Sequence, residues 1–539
     1  MMDLRRLALV VVTVAVTVVG EFGCGCLGNV LTLNVLRKFA GHGKNLSALR
    51  AHDIRRHGRL LSTIGVDLPL GGNGHPSETG LYFAKIGLGN PSKDYYVQVD
   101  TGSDILWVNC AGCDKCPTKS DLGLGLTLYD PKKSSTSSLV YCDQDFCTST
   151  YDGPLPGCKP NLQCQYNVVY GDGSSTAGYF VKDNMKLEQV TGNLQSRPTN
   201  GTVVFGCGAR QSGELGSSSE ALDGILGFGQ ANSSIISQLA ASGKVKKSFA
   251  HCLDNIEGGG IFAIGEVVSP KVSESQKDTY GSKPDIEVGG DLLRLPSDIF
   301  DSGDQKGTIV DSGTTLAYLP TSIYEPLMTK ILSQQPALNL HTVEDQFTCF
   351  QFAGSVDSGF PVVKFHFEDS LVLTVFPHEY TFQIRVGLGP WVSLLTGGYG
   401  ENSQVSGKST VKLCFTELYL INMTLPSFSF LLDSNKLARP EDIWCFGWQN
   451  SGVQSKDGKD MILLGDLVLS NKLVVYDIEN QNIGWTEYNC SSSIKVKDES
   501  SGAVYSVGAH DIGSASSLRI GGILTLLSII IALLHSSIA

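Results

Sequence analysis

Two short segments of this chain share one order of parts: an apolar strand-like run, an aspartate, a hydroxyl residue, a glycine and a second hydroxyl residue. The first is YYVQVDTGSDILWV at 95–108 and the second is GTIVDSGTTLAYL at 307–319. One such tetrapeptide is an ordinary turn after a strand. Two of them, each followed by further apolar sequence, point to a duplicated unit. The duplication continues downstream, where an apolar pair followed by glycine recurs in ILGFG at 225–229 and in ILLGDLVL at 462–469. Each half thus holds the same parts in the same order, and two such halves imply a pseudo-twofold axis relating Asp100 and Asp311.

The rest of the chain is consistent with two β-rich lobes. A length of 539 residues exceeds what one hydrophobic core serves. An apolar content of 42%, a charged content of 17% and 61 glycines, with many Val, Thr, Tyr and Phe runs, describe a turn-rich, mostly β protein. The net charge is -12, yet residues 1–70 carry nine Lys/Arg against four Asp/Glu, leaving -17 on the remainder. An acidic body of this kind argues against nucleic acid as a partner.

Both termini carry processing signals. Arg5 and Arg6 precede an uncharged run at 7–19, the arrangement of a secretory signal peptide, here placed at 1–26, rather than of a buried core helix. Residues 27–76 are basic, with LSALRAHDIRRHGRLL readable as an amphipathic helix, and are expected to be a pro-segment lying on the acidic body; a solvated linker helix is the alternative. At the other end, 520–539 is apolar with no Lys or Arg after it, and GAHDIGSASS at 508–517 is small and polar. That pairing suits a glycolipid-anchor signal better than a single membrane-spanning helix. The expected organisation is an N-terminal lobe at 77–268, a C-terminal lobe at 269–490, a linker and anchor-site region at 491–517 and a removable tail at 518–539.

Fifteen cysteines in a secreted chain favour disulfides. With Cys24 and Cys26 at the signal cleavage region, thirteen remain. Cys110, Cys113, Cys116, Cys142, Cys147, Cys158, Cys164, Cys207, Cys252, Cys349, Cys445 and Cys490 make an even dozen, and Cys414 is left over. The close set CAGCDKC could bind zinc, but the compartment and the lack of paired histidines favour disulfides, so no metal and no cofactor are expected. Asn200, Asn232, Asn422 and Asn489 are candidate N-glycosylation sites, as is Asn45 within the front segment.

The motifs resemble those of the pepsin-like aspartic proteases. The family pattern Asp, Thr/Ser, Gly, Ser/Thr is matched by Asp100, Thr101, Gly102, Ser103 and again by Asp311, Ser312, Gly313, Thr314. NVVYGDGSSTAGYF at 167–180 resembles the family's flap hairpin, which would place Tyr170 over the cleft, and Trp107 matches the tryptophan that meets it. The cysteine-rich stretch at 110–164 is similar to the insertion of the nepenthesin-type plant branch. The resemblance implies a mostly β, bilobal fold with two barrel-like lobes and a cleft between them. It also implies a monomer that hydrolyses peptide or protein substrates at acidic pH, outside the cell or on the outer face of the plasma membrane. In it Thr101 and Ser312 would brace the two loops, while Ser103 and Thr314 would bond the outer carboxylate oxygens.

Chemically, two adjacent carboxyl groups cannot both ionise easily, so one proton is shared; the aspartic-protease pair is itself the standard illustration of this coupling. The ionised partner takes a proton from a water held between them, and the protonated partner donates to the scissile carbonyl oxygen. Two stretches depart from the family. Residues 386–440 carry Cys414 and resemble nothing in it, being either a surface loop or translated intron sequence. At 269–285 a usual strand is replaced by polar sequence, so a missing strand is expected. A catalytically impaired or non-catalytic binding protein on the same scaffold, of inhibitor or wall-binding type, is the alternative function.

Overall fold

The computed structural model describes residues 63–276, 285–295, 306–343, 346–367, 371–384, 443–451, 460–498 and 501–512. The expected signal peptide, the helix of the pro-segment, Asn45, the 386–440 stretch with Cys414 and Asn422, and the apolar tail all lie outside them. Within the described residues the chain is dominated by strands.

A 15-stranded sheet forms the frame. The duplicated motif appears twice with the same pairing. In the first lobe, strand Gly224–Gly227 runs parallel to Lys93–Asp100, with Gly227 opposite Asp100, and antiparallel to Trp107–Asp114. In the second, Asp460–Leu464 runs parallel to Lys306–Val310, with Leu464 opposite Val310, and antiparallel to Ala317–Leu319. Val97, Val99, Leu226 and Leu464 of these strands face the interior and are buried.

Each lobe has its own apolar centre. The first gathers Tyr82, Val97, Val99, Leu226, Phe228 and Phe262; the second gathers Ile323, Leu327, Phe350, Phe446, Trp448 and Leu464. Between them, strand Lys472–Asp477 of the second half pairs antiparallel with Ser248–Leu253 of the first, so backbone hydrogen bonds cross from lobe to lobe.

Six disulfides join all twelve expected cysteines: 110–207, 113–116, 142–158, 147–164, 252–490 and 349–445. Four of them fasten the cysteine-rich stretch of the first lobe. Among the described residues no cluster of side chains could hold a metal ion. Asn200, Asn232 and Asn489 are exposed.

Three stretches take part in sheets that the sequence alone does not suggest. Strands Val66–Asp67 and Leu70–Asn73, within the stretch assigned to the pro-segment, belong to the main sheet: Val66 pairs with Ile264 and with Gln189, and Leu70 with Ala84. The reason is that Val66, Leu68 and Leu70 are apolar and are buried there. Residues 491–517 are not simply a linker. Ser493–Lys497 and Val504–Gly508 form a three-stranded sheet with Glu266–Ser269, burying Ile494, Val496 and Val507. Third, the strand expected to be missing at 269–285 is present in part, since Ser273–Gln276 pairs with Asn482–Glu487. It stands at the sheet's edge, where one partner suffices and backbone bonding alone can seat a polar segment.

Candidate active site

Asp100 ends a buried strand, and Asp311 directly follows Val310, which ends its twofold mate; the two carboxyl groups meet at the axis. They are 6% and 7% exposed. The turn after each aspartate folds its own backbone onto the carboxylate. Gly102 N–H donates to Asp100 Oδ1 at 2.8 Å and also to Asp311 Oδ1 at 3.0 Å, so one amide serves both inner oxygens. Gly313 N–H donates to Asp311 Oδ1 at 2.8 Å.

That closeness explains the glycines. A Cβ on Gly102 would stand 2.6 Å from Asp311 Cγ, and one on Gly313 would stand 2.6 Å from Asp100 Cγ. Any side chain would force the loops apart.

Outer oxygens are held by hydroxyls. Ser103 Oγ donates to Asp100 Oδ2, and Thr314 Oγ1 donates to Asp311 Oδ2 at 2.7 Å. The loops are braced crosswise: Thr101 Oγ1 donates to Val310 O at 2.9 Å, and Ser312 Oγ donates to Val99 O at 3.1 Å. Ser312 N–H in turn donates to Thr101 Oγ1 at 3.0 Å.

Burial, then the negative charge of Asp311, pushes the Asp100 carboxyl up to about 7, against the pull of the Ser103 and Gly102 hydrogen bonds. At acidic to near-neutral pH this site therefore holds a proton on Asp100.

The hairpin of Gln165–Val169 and the strand from Ser175 carries Tyr170 in its turn. Gly173, at φ +85°, gives the left-handed step the turn requires. Trp107 Nε1–H donates to Tyr170 Oη at 2.7 Å, fixing the ring, and burial holds the Tyr170 phenol in its neutral form with Asp100 among the charges near it. Asp172 Oδ1 accepts from both Ser174 N and Ser174 Oγ, closing the hairpin tip.

All ten residues singled out from the sequence for this site, from the two aspartates to Tyr170 and Trp107, are thus brought into one neighbourhood. One group was passed over. Asp466, in ILLGDLVL, is fully buried; among the described residues neither of its oxygens has a hydrogen-bond partner, and burial with the charges of Asp311 and Asp100 raises its carboxyl far above the usual range.

Comparison with known proteins agrees with this architecture. Two family models match, described as xylanase inhibitor N-terminal over residues 82–266 and xylanase inhibitor C-terminal over residues 284–389. Aspartic proteinase 36 of Arabidopsis thaliana is 49% identical, over 99% of this chain and 98% of its own. Aspartic proteinase 39 of the same plant is 46% identical over the full length of both. Nepenthesin-2 of Nepenthes gracilis is 31% identical over 54% of this chain and 64% of its own. Among solved structures, basic 7S globulin from soybean shares the fold with a TM-score of 0.53 at 18% identity, over 79% of this chain and 96% of that one. On the strength of these full-length relatives, the chain belongs to the pepsin-like plant aspartic proteinase family.

Proposed function

We propose that this protein is an aspartic endopeptidase that hydrolyses peptide bonds through a water activated by Asp100 and Asp311. The observation that carries the reading is the Gly102 amide shared between the inner oxygens of both carboxyl groups. It holds them close enough to share one proton and leaves a common face for a water. Asp311, as carboxylate, accepts the water's proton as its oxygen attacks the scissile carbonyl; Asp100, raised toward 7, supplies the proton to the carbonyl oxygen. The proton held by Asp311 then goes to the leaving amine as the C–N bond breaks, while Asp100 takes back a proton from a diol hydroxyl and the pair returns to its starting state. No covalent intermediate with the protein forms.

Asp100→Asn and Asp311→Asn should each lower kcat/KM on a peptide library by at least about 10³-fold, since each removes one half of a proton exchange. Wild-type activity should fall as pH rises through about 7, where Asp100 loses its proton. Retained cleavage in both variants would sink the assignment.

The names of the matching family models favour a second reading, a binding protein of inhibitor type on the same scaffold. Against it stand both aspartates and the flap tyrosine, all in place. A folded mature chain that cleaves no peptide from pH 3 to 8 would decide for it.

The same proposal includes secretion, cleavage of the front segment upstream of Ile64, and a glycolipid anchor attached after removal of the tail, leaving a monomeric body at the cell surface or apoplast. Among the described residues no helix is long and apolar enough to cross a membrane. Phosphatidylinositol-specific phospholipase applied to intact cells should release the protein into the medium. Retention, with recovery of a peptide spanning 520–534 from the mature chain, would make it a single-pass membrane protein instead.

A further inference from the structure

One of the six disulfides among the described residues stands apart. Cys113 and Cys116 are 3 residues apart in sequence, whereas the other pairs are separated by 16 to 238. Each of the other five has at least one buried cysteine. Here both cysteines are half-buried, and Asp114 and Lys115 between them are exposed.

Both properties favour opening of this bond before the rest. Thiol–disulfide exchange needs an incoming thiolate to reach a sulfur, so access decides which bond is attacked. Closing a loop with two intervening residues removes little freedom from the open chain, so opening it forfeits little stability. The turn also holds Lys115 at φ +59°, a left-handed step that an L side chain resists and that an opened turn is free to leave.

Direct contacts join this turn to the flap. Cys116 Sγ lies 2.9 Å from Oδ1 of Asn109, a buried residue two places after Trp107 on the same strand. The same oxygen accepts from Gln211 Nε2–H at 2.7 Å. Gln211 is fully buried and pairs with Thr176, on the returning arm of the flap hairpin. Beside that pair, the Ser175 and Ser212 hydroxyls are 2.7 Å apart. A second route runs through the turn Gly213–Gly216. A Cβ on Gly216 would stand 3.0 Å from Lys115 O, and Leu215 packs with Tyr170 on the apolar cluster that contains Trp107.

We propose that Cys113–Cys116 is a thiol–disulfide exchange site that regulates the flap, its co-reactant a dithiol reductant. A thiolate of the reductant attacks one sulfur, forming a mixed disulfide and releasing the other cysteine as a thiolate that takes up a proton. The reductant's second thiol then displaces the remaining cysteine. Two electrons pass to the protein, both cysteines end as thiols, and the reductant ends as its own disulfide. Once open, the turn no longer props Asn109 and the Gly213–Gly216 turn, and the base of the flap loosens. The effect on turnover rests on the protease reading of the site; the exchange itself does not.

The test titrates the mature full chain with dithiothreitol, traps free thiols with iodoacetamide and maps them by mass spectrometry. Cys113 and Cys116 should be trapped at reductant concentrations at least about 10-fold below those that open any other pair. With this pair open, amides at 168–175 should exchange at least about 3-fold faster, and kcat/KM should fall about 3- to 10-fold at an unchanged folded fraction. Oxidised glutathione should restore both. Cys113→Ser combined with Cys116→Ser should reproduce both effects and abolish the response to reductant. Opening of another pair first, or of none before the fold is lost, would overturn the exchange site. Selective opening that leaves flap exchange and kcat/KM unchanged would overturn its hold on the flap. If the wild type itself has no turnover, the protease reading fails, and thiol trapping with amide exchange then decides this proposal on its own terms.

Discussion

Asp466 places a third carboxyl group in the ground beneath Asp100 and Asp311. With both oxygens buried and no partner for either among the described residues, its ionised form is left without hydrogen bonds to offset the loss of water, so it holds its proton well above the usual carboxylate range. The sign of the effect on stability follows. A carboxyl whose folded pKa lies above its unfolded value contributes fully below about 4, and the contribution is lost as pH rises through the folded value. Asp466→Asn should therefore melt close to wild type at pH 3.5 and above it at pH 7, by about 1 °C for each kcal/mol recovered in a body of this size. Calorimetry across that range checks it, and parallel pH curves for the two proteins would refute it. Asp466 stood in plain sight in ILLGDLVL, yet a string of letters does not say whether a carboxylate will find a donor. Asp100 and Asp311 were legible for the opposite reason: their partners lie two and three residues away in the same turn, so the local sequence contains most of the site.

At the scale of elements, the strand Ser248–Leu253 is fastened twice. It pairs with Lys472–Asp477, and Cys252 is bonded to Cys490, 238 residues away. Closing so long a loop removes much freedom from the unfolded chain, so Cys252→Ala with Cys490→Ala should cost about 2–5 kcal/mol, read as a lower denaturant midpoint under oxidising conditions. A midpoint equal to wild type would mean that the sheet alone holds this seam. Such long-range pairing is what the sequence could not disclose. Twelve cysteines were countable, but which meets which depends on strand order, and strand order depends on contacts hundreds of residues apart. The same holds for Ser273–Gln276, a short polar run that becomes a strand because Asn482–Glu487 offers it a free edge. The flap hairpin was legible because YGDGS carries its own turn chemistry in Gly173 and Asp172.

Across the whole molecule, the duplication read from two short motifs is realised as two three-strand units with matching parallel and antiparallel pairings. Less foreseeable is how the described chain closes on itself. His510 pairs with Asp67 at 2.9 Å and bridges to Gly260, and Ile512 N–H donates to Leu70 O at 3.0 Å. The described chain from 63 to 512 is thus nearly a ring, its two ends being neighbours. A ring can be cut elsewhere: a permuted chain, with a short linker from Ile512 to residue 63 and new termini in an exposed turn such as Ser217–Ser219, should keep the fold and the aspartate pair. Its Ile512 amide should exchange more slowly than in the unpermuted chain, because the end that carries it is no longer free to peel from Leu70.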